Sequence, residues 1–166
     1  EQAVGLGEMS DEDLREQVRE LRRTLYSRGL DDDLTARSFV LIREAAGRCL
    51  ELRHYDVQLF GGWVMQSGMV AEMETGEGKT LTATLPAATA APAGIPVHIV
   101  TVNDFLVTRD AAWMAPVYHF LGLSVATITE GMDLRQRQDA YSRDIVYCSN
   151  KQLVFDYLKD RLLLGQ

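Results

Sequence analysis

Long hydrophobic runs are missing from this sequence: no stretch of its 166 residues approaches the roughly 18 apolar residues that a membrane-crossing helix needs. A charged-then-apolar leader and an initiator methionine are also missing, which suggests a soluble piece of a longer chain. Cysteine is scarce. Cys49 and Cys148 have neither CxxC spacing nor histidines at zinc-ligand intervals, so a zinc ribbon is excluded and two reduced thiols in a cytoplasmic setting are expected. The three histidines, His54, His98 and His119, form no metal or nucleophile constellation and read as structural. Positive charge is in deficit as well: the formal net charge is −7, which argues against a nucleic-acid or anionic-lipid partner recognised by bulk electrostatics.

What is present is enough for one globular unit, with 46% apolar and 25% charged residues. Its organisation changes near residue 55. Before that point the periodicity is helical. Ser10 followed by Asp13 predicts an N-cap, Leu14, Val18, Leu21 and Leu25 follow at helical spacing, and Gly29 ends the pattern. Asp31 to Asp33 break the chain, and Phe39, Ile42, Ala46 and Cys49 mark a second amphipathic helix running toward Arg53. Residues 1–54 are therefore expected to form a helical extension and residues 55–166 a nucleotide-binding domain.

In the second part, β-rich runs alternate with helical stretches. Val70 to Met73, Val97 to Val102, Val125 to Ile128 and Ile145 to Tyr147 read as strands, each followed by a helix-compatible segment, which predicts an α/β domain with a parallel sheet.

The stretch AEMETGEGKTLTATLP, Ala71 to Pro86, carries the chemistry. Its expected setting is strand, loop, helix, with the loop at Glu74 to Gly78. Gly76 and Gly78 permit backbone conformations that aim several N–H groups at one anion, and the following helix adds its N-terminal partial charge. Lys79 brings a mobile positive charge to terminal phosphates, and the Thr80 hydroxyl is suited to a magnesium ion that arrives with the nucleotide. The sequence holds only three lysines, which makes one at this position more telling. The general phosphate-loop formula would place its first glycine at position 73, where Met73 stands; the arrangement Met-x-Thr-Gly-x-Gly-Lys-Thr instead resembles the first motif of helicase-type motor ATPases, in which Thr75 and Gly76 would shape the loop. Pro86 falls inside the following helix and is expected to bend it by removing the hydrogen bond to the Thr82 carbonyl.

Three strings together, AEMETGEGKTLTATLPA, VHIVTVNDFLVTRDAAWMAPVYHFLGLSV and LRHYDVQLFGG, resemble the first nucleotide-binding domain of the SecA family of preprotein translocation ATPases. The resemblance runs from about Ser10 to Asp160. It implies a partial RecA-like fold and ATP or ADP with Mg2+ as ligands. It further implies that Gln58 reads the adenine edge, with Leu52 and Tyr55 against the base. Thr75, Gly76, Glu77, Gly78, Lys79 and Thr80 would then hold the phosphates, Lys79 and Thr80 being the two that bear on catalysis. For a full-length parent it implies preproteins and a SecY-type channel as partners, and a cytoplasmic protein peripheral to the inner membrane through regions outside this chain. Asn103, Asp104 and Arg109 are left open between helix capping, a solvated charge and a functional role. The segment 150–161 departs from the usual family pattern at Lys151, Gln152, Lys159 and Arg161, as a divergent relative would.

Motors of this type also need an apolar strand ending in Asp-Glu to hold the metal and activate water. The 166 residues contain none. The chain is therefore expected to stop before that Walker B strand and to bind nucleotide without cleaving it. A nucleic-acid helicase domain and a non-hydrolysing nucleotide-binding module are the alternative readings.

Overall fold

The computed structural model describes residues 5–164. Helix α1 spans Asp11–Arg28, and its start is set by Ser10, whose hydroxyl accepts the Asp13 N–H at 3.2 Å while Asp11, Glu12 and Asp13 complement the helix dipole. Gly29 at φ 79 closes it, a conformation that would cost any residue with a side chain sterically and that glycine adopts freely. Asp31 caps α2, Asp32–Leu50, in the same way, accepting the Leu34 N–H at 2.8 Å. The expected stripes are the buried ones: Leu14, Leu21 and Leu25 on α1, and Phe39, Ile42 and Ala46 on α2, with Cys49 half-buried. Both helices pack into the same core as α5 (Thr84–Ala90) and α6 (Asp104–Phe120).

Three of the four expected strands form: β1 at Val97–Thr101, β2 at Val125–Ile128 and β3 at Ile145–Ser149. They make one parallel sheet in the order β1-β3-β2, with Val97 opposite Ile145 on one side of β3 and Val125 opposite Ile145 on the other. The last strand in sequence is thus the central one. Every residue of β3 is buried, as parallel strands covered on both faces require. Its alternation divides two cores. Ile145 and Tyr147 face the larger cluster with α6, whereas Val146 and Cys148 face a smaller one with Ile128 and Ala140, covered by α7 (Leu134–Tyr141) and α8 (Asn150–Leu164). Both cysteines are free thiols, and burial raises the pKa of each.

The fourth expected strand, Val70 to Met73, is not formed. A strand is held by a ladder with a neighbour, and residues 70–73 pair with neither edge of the sheet. Val70 is 94% exposed, so its β-propensity is met by no packing at all. The loop is consequently entered from an extended, unpaired segment.

A buried network fastens α8 to α7. Arg137 donates to Asp156 at 2.7 Å and to Gln152 at 2.8 Å, and the Tyr141 hydroxyl donates to Asp156 at 3.0 Å. Gln152 supplies the neutral acceptor in this network. Burial and the neighbouring Asp156 carboxylate keep the Tyr141 phenol protonated at any physiological pH.

Candidate functional site

The loop joins the extended segment to α4, Lys79–Thr82. Gly76 at φ 95 and Gly78 at φ 80 turn the backbone through the left-handed region. Around Gly76 nothing lies within 4 Å of where a side chain would begin, so an anion can approach the backbone there. Among the described residues the N–H groups of Gly76, Gly78, Lys79 and Thr80 have no hydrogen-bond partner. Four free donors on an open turn fit a phosphate group. Helix α4 stops after one turn, Ala83 interrupts it and α5 resumes at Thr84. The interruption lies where Pro86, having no N–H, leaves the Thr82 carbonyl unclaimed. The expected bend is thus a break of one residue.

Helix α3, Asp56–Gln66, braces the loop from the other side. Gln58 is 5% exposed, and both ends of its amide are committed: Oε1 accepts the Tyr55 N–H at 3.0 Å and Nε2 donates to the Glu77 carbonyl at 2.8 Å. It connects the start of α3 to the loop backbone. A side chain at position 78 would begin 2.4 Å from the Gln58 amide nitrogen, so glycine is required there by contact as well as by φ. Gly61 and Gly62 allow α3 to lie close on the helices after the loop. A Cβ at Gly61 would meet Thr82 Cγ2 at 3.4 Å, and one at Gly62 would meet Leu85 at 2.7 Å. Two glycines within a helical run were the visible signal for such an approach.

Of the residues expected to bind nucleotide, the structure brings Gln58, Glu77 and Gly78 into direct contact and joins Lys79 to Glu74, whose carbonyl accepts the ammonium at 2.6 Å. Thr80 is half-buried in the first turn of α4. Leu52 and Tyr55 lie at the surface, 37% and 73% exposed, and Tyr55 is tied to the loop through Gln58. Thr75 and Glu77 are exposed on the loop itself. Among the described residues no group of three or more histidine, cysteine or acidic side chains gathers as a metal site.

His54 is the residue here that sequence reasoning undervalued. It is fully buried, and its Nε2 lies 3.0 Å from the Leu81 carbonyl and 3.1 Å from Thr84 Oγ1. Toward the carbonyl this nitrogen must donate, so Nδ1, which has no partner, is the unprotonated one. Burial drives the pKa of the ring down to about 4 from 6.5, with the nearby Arg43 charge acting in the same direction. Since the folded value lies below the unfolded one, the stabilisation is complete above about pH 6.5 and is lost as the pH falls toward 4. Urea unfolding is expected to show a loss of about 2 kcal/mol between pH 7 and pH 5, of which a His54→Gln variant is relieved. Identical pH slopes for the two proteins would remove His54 as the cause.

The open residues at the sheet's end resolve differently from one another. Asn103 caps α6 by accepting the Leu106 N–H at 2.9 Å. Arg109 pairs with its neighbour Asp110 at 2.7 Å. Asp104 ties the sheet's rim together: its two oxygens accept the Glu130 N–H at 2.6 Å and the Ser149 hydroxyl at 3.1 Å, which links the carboxyl ends of all three strands. His98 meets Tyr141 edge-on, and His119 is exposed. No helix among the described residues is long and apolar enough to cross a membrane.

With this geometry in place, comparison with known proteins is specific. The model of the SecA DEAD-like domain matches residues 2–166. The chain is 56% identical over 151 residues to the protein translocase subunit SecA 2 of Bordetella avium, covering 91% of this chain and 23% of that protein. It is 52% identical to the SecA 2 subunit of Nitrosospira multiformis, covering 95% of this chain and 24% of that protein. Against the SecA subunit of Solidesulfovibrio magneticus the identity is 51%, covering 95% of this chain and 19% of that protein. The chain spans about a fifth to a quarter of the length of these curated relatives.

Proposed function

This chain belongs to the SecA DEAD-like domain family, and from that premise we propose that it is the ATP-binding part of a motor that drives unfolded preproteins through a membrane channel. The observation that carries the nucleotide reading is the open turn at Gly76 to Thr80, with its unpartnered N–H groups beside Lys79. These donors would hold the phosphates, Lys79 would place its charge on the terminal ones, and the Thr80 hydroxyl would join a magnesium ion carried in by the nucleotide. Bound magnesium ATP supplies the phosphoryl group and the charge to be neutralised. The residues of this chain position and neutralise.

The adenine end is assigned to Leu52, Tyr55 and Gln58. Gln58 already spans from the Tyr55 N–H to the Glu77 carbonyl, so we infer that it aligns the base-side segment with the phosphate loop, and that reading the adenine edge would call on the second Nε2 hydrogen and the second Oε1 lone pair. Hydrolysis needs a water-activating carboxylate strand and a charge that stabilises the transition state. The 166 residues contain no Asp-Glu-ended strand, and by themselves they are proposed to bind nucleotide without turning it over.

The preprotein reading is preferred to the helicase one because the acidic chain lacks a broad basic surface charge and its relatives are named as translocase subunits. The test is ATPase stimulation of the full-length protein. Unfolded preprotein together with channel-containing membrane vesicles is expected to raise turnover several-fold more than RNA or DNA at equal mass. Stronger stimulation by nucleic acid would reverse the assignment.

A further inference from the structure

Two of the side chains assigned to the adenine end, Leu52 and Tyr55, stand on a stretch of chain that does not hold itself in place. Residues 51–55 are neither helix nor strand, and among the described residues the backbone of 52–54 makes no hydrogen bond to other backbone. Their position must come from side chains. His54 supplies one anchor, on Leu81 and Thr84. Arg53 supplies the other, on α2, where its Nη2 lies 2.8 Å from Oε2 of the buried Glu44. That oxygen accepts no hydrogen bond among the described residues, so the Arg53 charge is what answers it, whereas Oε1 accepts the Arg48 Nε–H at 3.0 Å. Gly47, one turn on from Glu44, leaves room for the Arg53 stem: a Cβ there would begin 3.0 Å from Arg53 Cγ. The reversal that brings Arg53 back onto α2 is made at Glu51, in the left-handed region at φ 58, which few residues with a side chain adopt.

We propose that Glu44 is a positioning residue for the base end of the nucleotide site, fixing through Arg53 where Leu52 and Tyr55 stand. The inference rests on the adenine assignment above and extends that site into α2. A buried carboxylate is costly unless it is paired, and this holds the half-exposed Arg53 against α2 instead of in solvent. Arg43, the residue before Glu44, pairs with Asp56 at 3.3 Å, so two consecutive residues of α2 grip the chain on either side of His54 and Tyr55. Asp56 is exposed, which makes this second pair the weaker hold. The phosphate loop is braced separately, from α3 through Gln58. Loss of the Glu44–Arg53 pair therefore weakens recognition of the base and spares that of the phosphates.

The test is calorimetric titration of the full-length protein with two magnesium complexes, a non-hydrolysable ATP analogue and the base-free ribose triphosphate. Arg53→Met keeps the stem and drops the charge. This variant and Glu44→Gln are each expected to bind the ATP analogue about 3- to 10-fold more weakly, with ribose triphosphate changed by less than about twofold. Arg53→Lys restores a charge for Glu44 and is expected to recover most of the loss. Lys79→Ala is expected to weaken both ligands alike. If the Arg53 and Glu44 variants lose both ligands equally, or neither, the positioning role is overturned while the nucleotide site stands. Equal affinity of the unaltered protein for the two ligands would remove the adenine assignment and the role of Glu44 with it. Should Lys79→Ala bind both as well as the unaltered protein, the phosphate placement itself fails, and the proposal built on it is overturned.

Discussion

Replacing Lys79 with alanine is expected to weaken binding of magnesium ATP by tenfold or more, and to lower the ATPase rate of the full-length protein by a factor of about 10² or more. Lys79 is the only cation between Ala71 and Thr80, so no neighbour on the loop can take over its charge. The side chain is exposed, and its one hydrogen bond is to the Glu74 carbonyl at the surface, so its removal leaves the core untouched. Thermal unfolding without nucleotide should therefore hardly change, which separates a lost ligand contact from a lost fold. Titration calorimetry and phosphate release decide the matter, and unchanged affinity with unchanged turnover would refute the placement of the phosphates.

The second large effect is expected at Gly62, where α3 crosses α5. A methyl group there would begin 2.7 Å from Leu85 Cδ1, 2.9 Å from Leu85 Cβ and 3.2 Å from Phe39 Cε2, and Leu85 is fully buried. Gly62→Ala is expected to cost about 1–3 kcal/mol through overpacking, net of the roughly 1 kcal/mol that alanine's better helix propensity returns. Leu85→Ala is expected to cost about 2–5 kcal/mol, because it empties the same space. The double variant places a methyl group where the leucine was removed, so its loss should fall short of the two single losses added together by about 1 kcal/mol or more. Urea unfolding of the four proteins measures this coupling. Strict additivity would mean that α3 and α5 do not press on one another at this point.

Much of this architecture was legible because it is written in local chemistry. Ser10 and Gly29 bracket α1 through hydrogen bonds to nearby residues and a left-handed turn, interactions that do not depend on the rest of the fold. The strands at 97, 125 and 145 show the apolar runs of a covered parallel sheet. Val70 to Met73 shows a similar run and yet forms no strand, since pairing is decided by a neighbour and not by the segment itself. The burial of His54 was illegible for a related reason: its partners Leu81 and Thr84 lie far along the chain, and no periodicity announces them. At Gln58 the residue type suggested a hydrogen-bonding role, but the span from Tyr55 to Glu77 required knowing that α3 lies beside the loop. Gly76 and Gly78 were readable as turn formers. That Gly78 also makes room for the Gln58 amide was not, because contact across elements leaves no mark on spacing.

The placement of β3 between β1 and β2 sets an order on the nascent chain. Among the described residues β1 and β2 do not touch, and each finds its ladder with residues 145–149. A ribosome that has released the chain only as far as residue 140 has delivered two strands that still await residues 145–149, while the helical core residues of α1, α2, α5 and α6 have all emerged. Joining these three strands is a long-range event, in which one strand must enter between two that are already waiting.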